Sequence, residues 1–368
     1  MKQSPLHTVL CERLGIEYPV VAFTHCKDVA AAVINAGGFA VLGEAMHTPE
    51  QIAADIRWLR QRIGGKAFGI DLVLPAAVPE QRSLEELLAQ IPAEHRAFER
   101  SIKAKYDVPD PKRPPDLYQW GGLDQSRGLK QLEVVFDERV PVFASGLGSP
   151  AFLLERAHQL QMQVWGLIGK PRQAKRQIEA GTDVLIAQGY DAAGHTGTIG
   201  TFSIVPQVVD LCAPRGIPVL AAGGVTTGRH LAAALALGAA GVWTGTLWLA
   251  SRESDVNQPL KERLIEASCT DTWHSDCLSG FTMRTLVSPW HREWTSEGAP
   301  AVLQPPLQSL LSAEYIQASL DHQRKDLMTE AAGQGVDYVT AMKPARQVLS
   351  DLVDEALDTL ERLGGGTQ

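Results

Sequence analysis

No apolar run in this chain approaches the roughly 18 residues needed to cross a bilayer. Its longest candidates are interrupted by Gly, Arg or His, so no membrane span is expected. Positive charge is scarce: 34 Lys and Arg stand against 42 Asp and Glu, giving a net charge of -8. With no basic arm or cluster, a nucleic-acid surface is not expected. Cysteine is sparse too. Cys11, Cys26, Cys212, Cys269 and Cys277 are odd in number and fall at no metal-ligand spacing. They suggest neither a disulfide framework nor a metal centre. Met1 to Leu10 lacks the charged-then-apolar pattern of a secretory signal, and a reduced, cytoplasmic protein is the expectation. Two phosphate signatures are also missing. No Gly-x-Gly-x-x-Gly turn follows the first apolar run, where Thr24-His25-Cys26-Lys27 stands instead, and no Gly-Lys-Ser/Thr ending occurs.

What is present is a repeating pattern. Of the 368 residues, 45% are hydrophobic, enough to build a sizeable core. Apolar runs recur at 19–23, 38–42, 67–74, 140–144, 163–168, 183–188, 217–222 and 240–245. Most are unbroken, as expected of strands buried on both faces of a parallel sheet. Helical segments separate them. Asp28 to Ala36 reads as a helix capped by Asp28, and Thr48-Pro49-Glu50 as a helix start with a cap, a first-position proline and an acid. Thr227 to Leu237 is Ala-rich and stops at Gly238. Eight strand-helix units predict an α/β fold, a (β/α)8 TIM barrel, with a doubly wound sheet as the alternative.

Two regions exceed the unit. Residues 75–139 form a long insertion after the third strand. It holds a charged helix from Ser83 to about Lys105, a proline-rich stretch Pro109 to Pro115, and Tyr118 to Gly122. It reads either as a solvated excursion or as a cap over the barrel. Residues 251–333 read as a smaller, mainly helical second domain, with aromatics at Trp273, Phe281, Trp290 and Trp294. The barrel is placed at 1–250, and 334–368 as a C-terminal helix returning to it.

The chemistry gathers at strand ends. The sixth run leads into Gly189-Tyr190-Asp191-Ala192-Ala193-Gly194-His195-Thr196-Gly197. Histidine trades protons near neutral pH, and its small neighbours admit a planar group close to the backbone. Asp191 is a candidate to orient His195. The seventh run ends in Ala222-Gly223-Gly224, ahead of a helix start near Thr226, and the eighth ends in Gly245-Thr246 with a hydroxyl. Paired loops of this kind suit a phosphate-bearing ligand held by backbone amides.

With these pieces in order, the chain resembles the nitronate monooxygenase family, FMN-dependent barrels related to flavin-dependent enoyl-thioester reductases. The likeness runs through Tyr18 to Val21, Asn35 to Phe39, Phe68 to Leu72, Gly189 to Gly197, Ala221 to Val225 and Gly238 to Thr246. It implies oxidation of alkyl nitronates by O2 to a carbonyl compound and nitrite, with FMN as cofactor. It places Ala22, Phe23, Thr24, Gln188, Ala193 and Gly194 beside the flavin. Ala222, Gly223, Gly224, Gly245 and Thr246 would hold its phosphate, and His195 would be the catalytic proton acceptor. His25 and Cys26 would line the substrate pocket. The chain departs from the family pattern at Phe23 and Thr24, and with Val73, Leu167 and Phe281 where polar or basic residues are usual. Three alternatives stay open: an NAD(P)H-dependent reductase of an enoyl thioester or quinone, a non-catalytic FMN-binding module, and a non-flavin isomerase or aldolase barrel. A monomer or homodimer is expected.

Overall fold

The computed structural model describes residues 4–73, 83–115, 117, 125–146 and 150–365. All eight apolar runs become parallel strands of one closed barrel. They are β1 Val20–Thr24, β2 Phe39–Gly43, β3 Gly69–Leu72, β4 Val142–Ser145, β5 Gln163–Ile168, β6 Val184–Gln188, β8 Val219–Ala222 and β9 Gly241–Thr244. Closure is made where β1 pairs with both β2 and β9. This excludes the doubly wound alternative.

Two separate cores explain why the strands are apolar throughout. Val21, Val41, Ala144, Trp165, Ile186, Leu220 and Trp243 fill the barrel interior. Val20, Ala22, Leu42, Ile70, Phe143 and Leu185 pack outward against the helices. Successive strand residues point to opposite faces. With both faces buried, neither set can be polar.

Helix ends follow the local signals, with two differences. Thr48 caps Pro49–Ile63 in a reciprocal box with Gln51, and Thr227 caps Gly228–Ala236. The helix placed at Asp28 begins one residue earlier, at Lys27, with Cys26 as its cap; Asp28 lies in the first turn. The single charged helix expected from Ser83 to Lys105 is two helices, Leu84–Ala89 and Ala93–Lys105. Pro92 lies between them. Its missing N–H and fixed φ suit a helix start and break a helix interior.

The second region is not only helical. Thr272–Ser275 (β10) and Met283–Leu286 (β11) form an antiparallel pair, and β11 also pairs with Gly194–His195 (β7). The loop carrying His195 is therefore stitched into this small sheet. Leu87, Ile91 and Ile102 from the insertion share one core with Cys277, Trp290, Trp294 and Tyr315. The described part of the insertion thus packs with the second region. Tyr118 to Gly122 lies outside the described residues. The final helix, Ala345–Gly364, buries Leu349, Leu352, Val353 and Ala356.

Candidate active site

At the C-terminal rim of the barrel, register decides which side chains face inward. Asp71 pairs with Ala144, and Gln188 with Ala222. Ala144 and Ala222 belong to the interior cluster, so Asp71 and Gln188 look into the barrel as well. Around them stand Phe23 and Leu167, both packed on that cluster. Phe23 stacks on Trp243 with ring centroids 5.4 Å apart. The floor of the mouth is therefore largely apolar, with one acid and one amide.

Asp71 is unusual among these groups. Its carboxyl has no hydrogen-bond partner among the described residues, and burial pushes its pKa up to about 8. Desolvation disfavours the carboxylate, so the acid form is retained toward neutral pH. The alternation of Gly69 and Asp71 along β3 was the signal that could have marked it as inward-facing.

His195 is half-buried on β7, and its ring meets Phe281 edge-on at 5.9 Å. Its Nδ1 lies 3.2 Å from the Thr282 carbonyl oxygen. A carbonyl only accepts, so Nδ1 carries a proton, and in the neutral ring Nε2 is the nitrogen with the lone pair. Asp191 does not orient this ring. Its Oδ2 accepts the Thr201 N–H at 2.8 Å, at the start of the helix Thr201–Cys212. A short acid there satisfies a helix-end donor, and among the described residues the His195 ring bonds the Thr282 carbonyl instead.

The small residues of this loop serve several purposes. A Cβ on Gly189 would lie 2.3 Å from the Thr201 nitrogen, and one on Gly197 would lie 2.4 Å from the Gly169 oxygen. Those two glycines permit close backbone packing. Gly194 differs: its φ is 68° and a Cβ there would meet nothing within 4 Å. It faces open space, with half-buried Ala193 beside it.

The expected phosphate loops lie at the rim. Gly223 and Gly224 hold φ of 105° and 68°, values that favour glycine. Gly245 precedes the short helix Thr246–Leu249, and a Cβ on it would again meet nothing within 4 Å. Thr246 is buried and its Oγ1 accepts the Gly333 N–H at 2.9 Å, which leaves its proton free to donate. Open space over two glycines, backbone amides and an apolar floor fit a flat cofactor with a phosphate tail.

The remaining candidates separate. Ala22 packs outward against the helices, and Thr24 is buried with its Oγ1 accepting the Cys26 N–H. His25 is exposed, and its Nδ1 donates to the Gly43 carbonyl at 2.8 Å. It therefore also keeps a free Nε2. Cys26 is buried, donates its thiol to the Glu253 carbonyl at 3.1 Å, and has its pKa raised by burial. Its thiol is packed into the structure through that bond. Beside β2, Glu44, His47 and Asp55 bring their ligand atoms within 4.8 Å. Lys27 already pairs with Asp55, and Glu44 with His47 at 2.6 Å, so the group forms a chain of ion pairs.

Known proteins share this arrangement. The sequence profile of the family described as Nitronate monooxygenase matches residues 7–355. A Mycobacterium tuberculosis protein carried under the name of a monooxygenase is 38% identical over 376 residues, covering 99% of this chain and 100% of that protein. Among solved structures, the nitroalkane oxidase of Streptomyces ansochromogenes matches with a TM-score of 0.78 and 27% identity, over 96% of this chain and 99% of that one. FabK of Thermotoga maritima matches with a TM-score of 0.74 and 26% identity, over 98% and 99%.

Proposed function

The chain belongs to the nitronate monooxygenase family, and on that premise we propose that it oxidises alkyl nitronates with O2 to a carbonyl compound and nitrite, using FMN. Membership makes it a flavin-dependent oxidoreductase. One observation supports the specific reaction best: the His195 imidazole has Nδ1 tied to the Thr282 carbonyl, so that in the neutral ring Nε2 is the basic nitrogen, next to the open Gly194.

In this reading Gly223, Gly224, Gly245 and Thr246 hold the FMN phosphate, and Phe23, Gln188, Ala193 and Gly194 lie along its ring and ribityl chain. Ala22 and Thr24 set the strand end from which Phe23 projects. Bound FMN supplies the electron-transfer chemistry between the organic substrate and O2. The protein supplies position and proton handling. A nitronate is already deprotonated and needs only to be oriented. A neutral nitroalkane must first lose its α-proton, and His195 Nε2 accepts it. The apolar floor of Phe23 and Leu167 excludes water and strengthens such polar contacts. His25 lines the rim on the substrate side, its ring anchored by the Gly43 carbonyl.

Near-equal likeness to the nitroalkane oxidase and to FabK keeps the NAD(P)H-dependent reductase as the second reading. The deciding experiment starts from the absorbance spectrum of the purified protein. Anaerobic mixing then follows, with propionate 3-nitronate in one arm and NADH or NADPH in the other. Bleaching of the flavin bands by the nitronate alone is the expected result. Bleaching by a nicotinamide instead would transfer the chain to the reductases. A colourless protein that takes up no FMN would remove both readings.

A further inference from the structure

Behind the His195 loop lies a second hollow, on the far face of the small sheet. Met283 stands opposite His195, while Arg284 stands opposite both Gly194 and His274. Side chains alternate along a strand, so His195 and Met283 share one face and His274 and Arg284 the other. The contacts agree. The His195 ring meets Phe281, whereas His274 and Arg284 both pack on Tyr190. This second face bounds a cavity of about 450 Å³.

Its chemistry has one sign. Arg284, His274, Tyr190, Trp273, Thr270 and Thr272 are among its walls, and no Asp or Glu of the described residues lines it, in a chain of net charge -8. Arg284 is only 2% exposed. Its Nε donates to the Tyr190 carbonyl at 3.2 Å, and Nη1 to the Thr272 carbonyl at 3.0 Å and to Thr272 Oγ1 at 3.3 Å. Its Nη2 is buried with no partner among the described residues. Each of these acceptors is neutral. A guanidinium keeps its charge at any working pH, and a buried charge without a counter-charge is costly. Two acids on adjoining segments are engaged elsewhere: Asp271 accepts from Ser268, and Asp337 from the Cys269 N–H.

We propose that this cavity is an anion site for a phosphate-type oxyanion, free or carried as the terminal group of a larger molecule, separate from the barrel mouth. The unpartnered Nη2 of Arg284 is the charged donor left for such an oxyanion. The site bears on the catalytic loop from behind. His274 Nε2 lies 2.9 Å from Thr196 Oγ1, and Arg284 holds the Tyr190 carbonyl; both partners belong to the loop that carries His195.

Calorimetric titration of the flavin-loaded full chain tests this, with inorganic phosphate in one arm and ADP in the other, at constant ionic strength set with chloride. One equivalent of saturable binding is expected in at least one arm. Tighter binding of ADP would assign the oxyanion to a larger ligand; binding of phosphate alone would assign it to the free ion. Thr270 is exposed at the rim, so Thr270→Glu adds a negative charge without disturbing the core. It should weaken binding about tenfold or more and leave the flavin content unchanged. Arg284→Gln should do the same; if that variant fails to fold, Thr270→Glu decides alone. No saturable binding in either arm, or unchanged affinity in Thr270→Glu, overturns the proposal. Because binding is measured without turnover, the result stands apart from the reading of the reaction.

Discussion

At the scale of single residues, two titratable groups of different kinds carry the predictions. His195, on the small sheet, has its Nδ1 proton committed to a carbonyl, and Asp71, inside the barrel, has a carboxyl pKa pushed by burial up to about 8. Replacing His195 by Asn keeps a polar group but removes the base. Turnover of neutral nitroalkanes should fall by about 10²- to 10⁴-fold, the usual contribution of a general base. Preformed nitronates should be affected far less, and bound flavin should remain. Steady-state rates on the two substrate forms check this; equal losses on both would remove His195 as the proton acceptor. Asp71 makes a stability prediction. The unfolded chain releases this proton in the ordinary carboxylate range, the folded chain only near 8. Between those values the unfolded state binds fewer protons, so folding stability falls as pH rises through the window. Asn has no proton to release. Asp71→Asn should therefore match the parent near pH 4 and exceed it by several kcal/mol near pH 8, the gap widening by on the order of 1.4 kcal/mol with each step of one in pH. Melting the flavin-free protein across that range would expose the opposite trend, if it existed.

Between elements, a tight backbone joint is where the helix Gly228–Ala236 meets the C-terminal helix. A Cβ on Gly228 would lie 2.2 Å from the Ala356 nitrogen and 2.4 Å from the Leu352 oxygen. Both obstacles are backbone, so one helix would have to move. Gly228→Ala should cost about 1–3 kcal/mol or more, as overpacked sites do, although alanine is the better helix former. Chemical denaturation measures it, and a neutral or stabilising result would contradict the close approach. The same scale shows why some elements were legible and others not. Each barrel strand is an apolar run between Gly or Pro, and both of its faces are buried, so composition alone marks it. β7 has two residues, Gly194–His195, and β10 and β11 have four each. Strands that short and not uniformly apolar carry no pattern, and β7 finds its partner β11 roughly 90 residues further along the chain. The broken helix at Pro92 was readable from proline chemistry, and reading 83–105 as one helix overlooked it.

For the whole molecule, the C-terminal helix closes the barrel wall. Leu349, Leu352, Val353 and Ala356 are buried in the same core as Val29, Val33 and Leu231. Deleting residues 345–368 would strip that cover from two helices at once. Each large apolar side chain contributes roughly 1.5–3 kcal/mol by burial, a large share of a typical folding stability. The truncated chain is expected to be insoluble or to melt well below the full chain, by light scattering and thermal denaturation. A soluble truncation with an unchanged melting point would show the helix to be an accessory. We place the division between barrel and second region at 250–251. The described part of the insertion sides with the second region, through the shared core of Leu87, Ile102, Trp290 and Tyr315.

The sequence by itself determined the barrel, its eight strands and the rim loops at Gly223, Gly224 and Gly245. Those follow from local rules: apolar runs, caps, and glycines at strand ends. Only the tertiary structure decided what each polar group does. Asp191 and Cys26 were candidates by position along the chain, yet their bonds to Thr201 and Glu253 turn them to structural tasks. The tautomer of His195 comes from a carbonyl 87 residues away. The buried Arg284 and the neutral Asp71 owe their character to what surrounds them. Hydrogen-bond partners and desolvation depend on distance in space, which linear order does not specify.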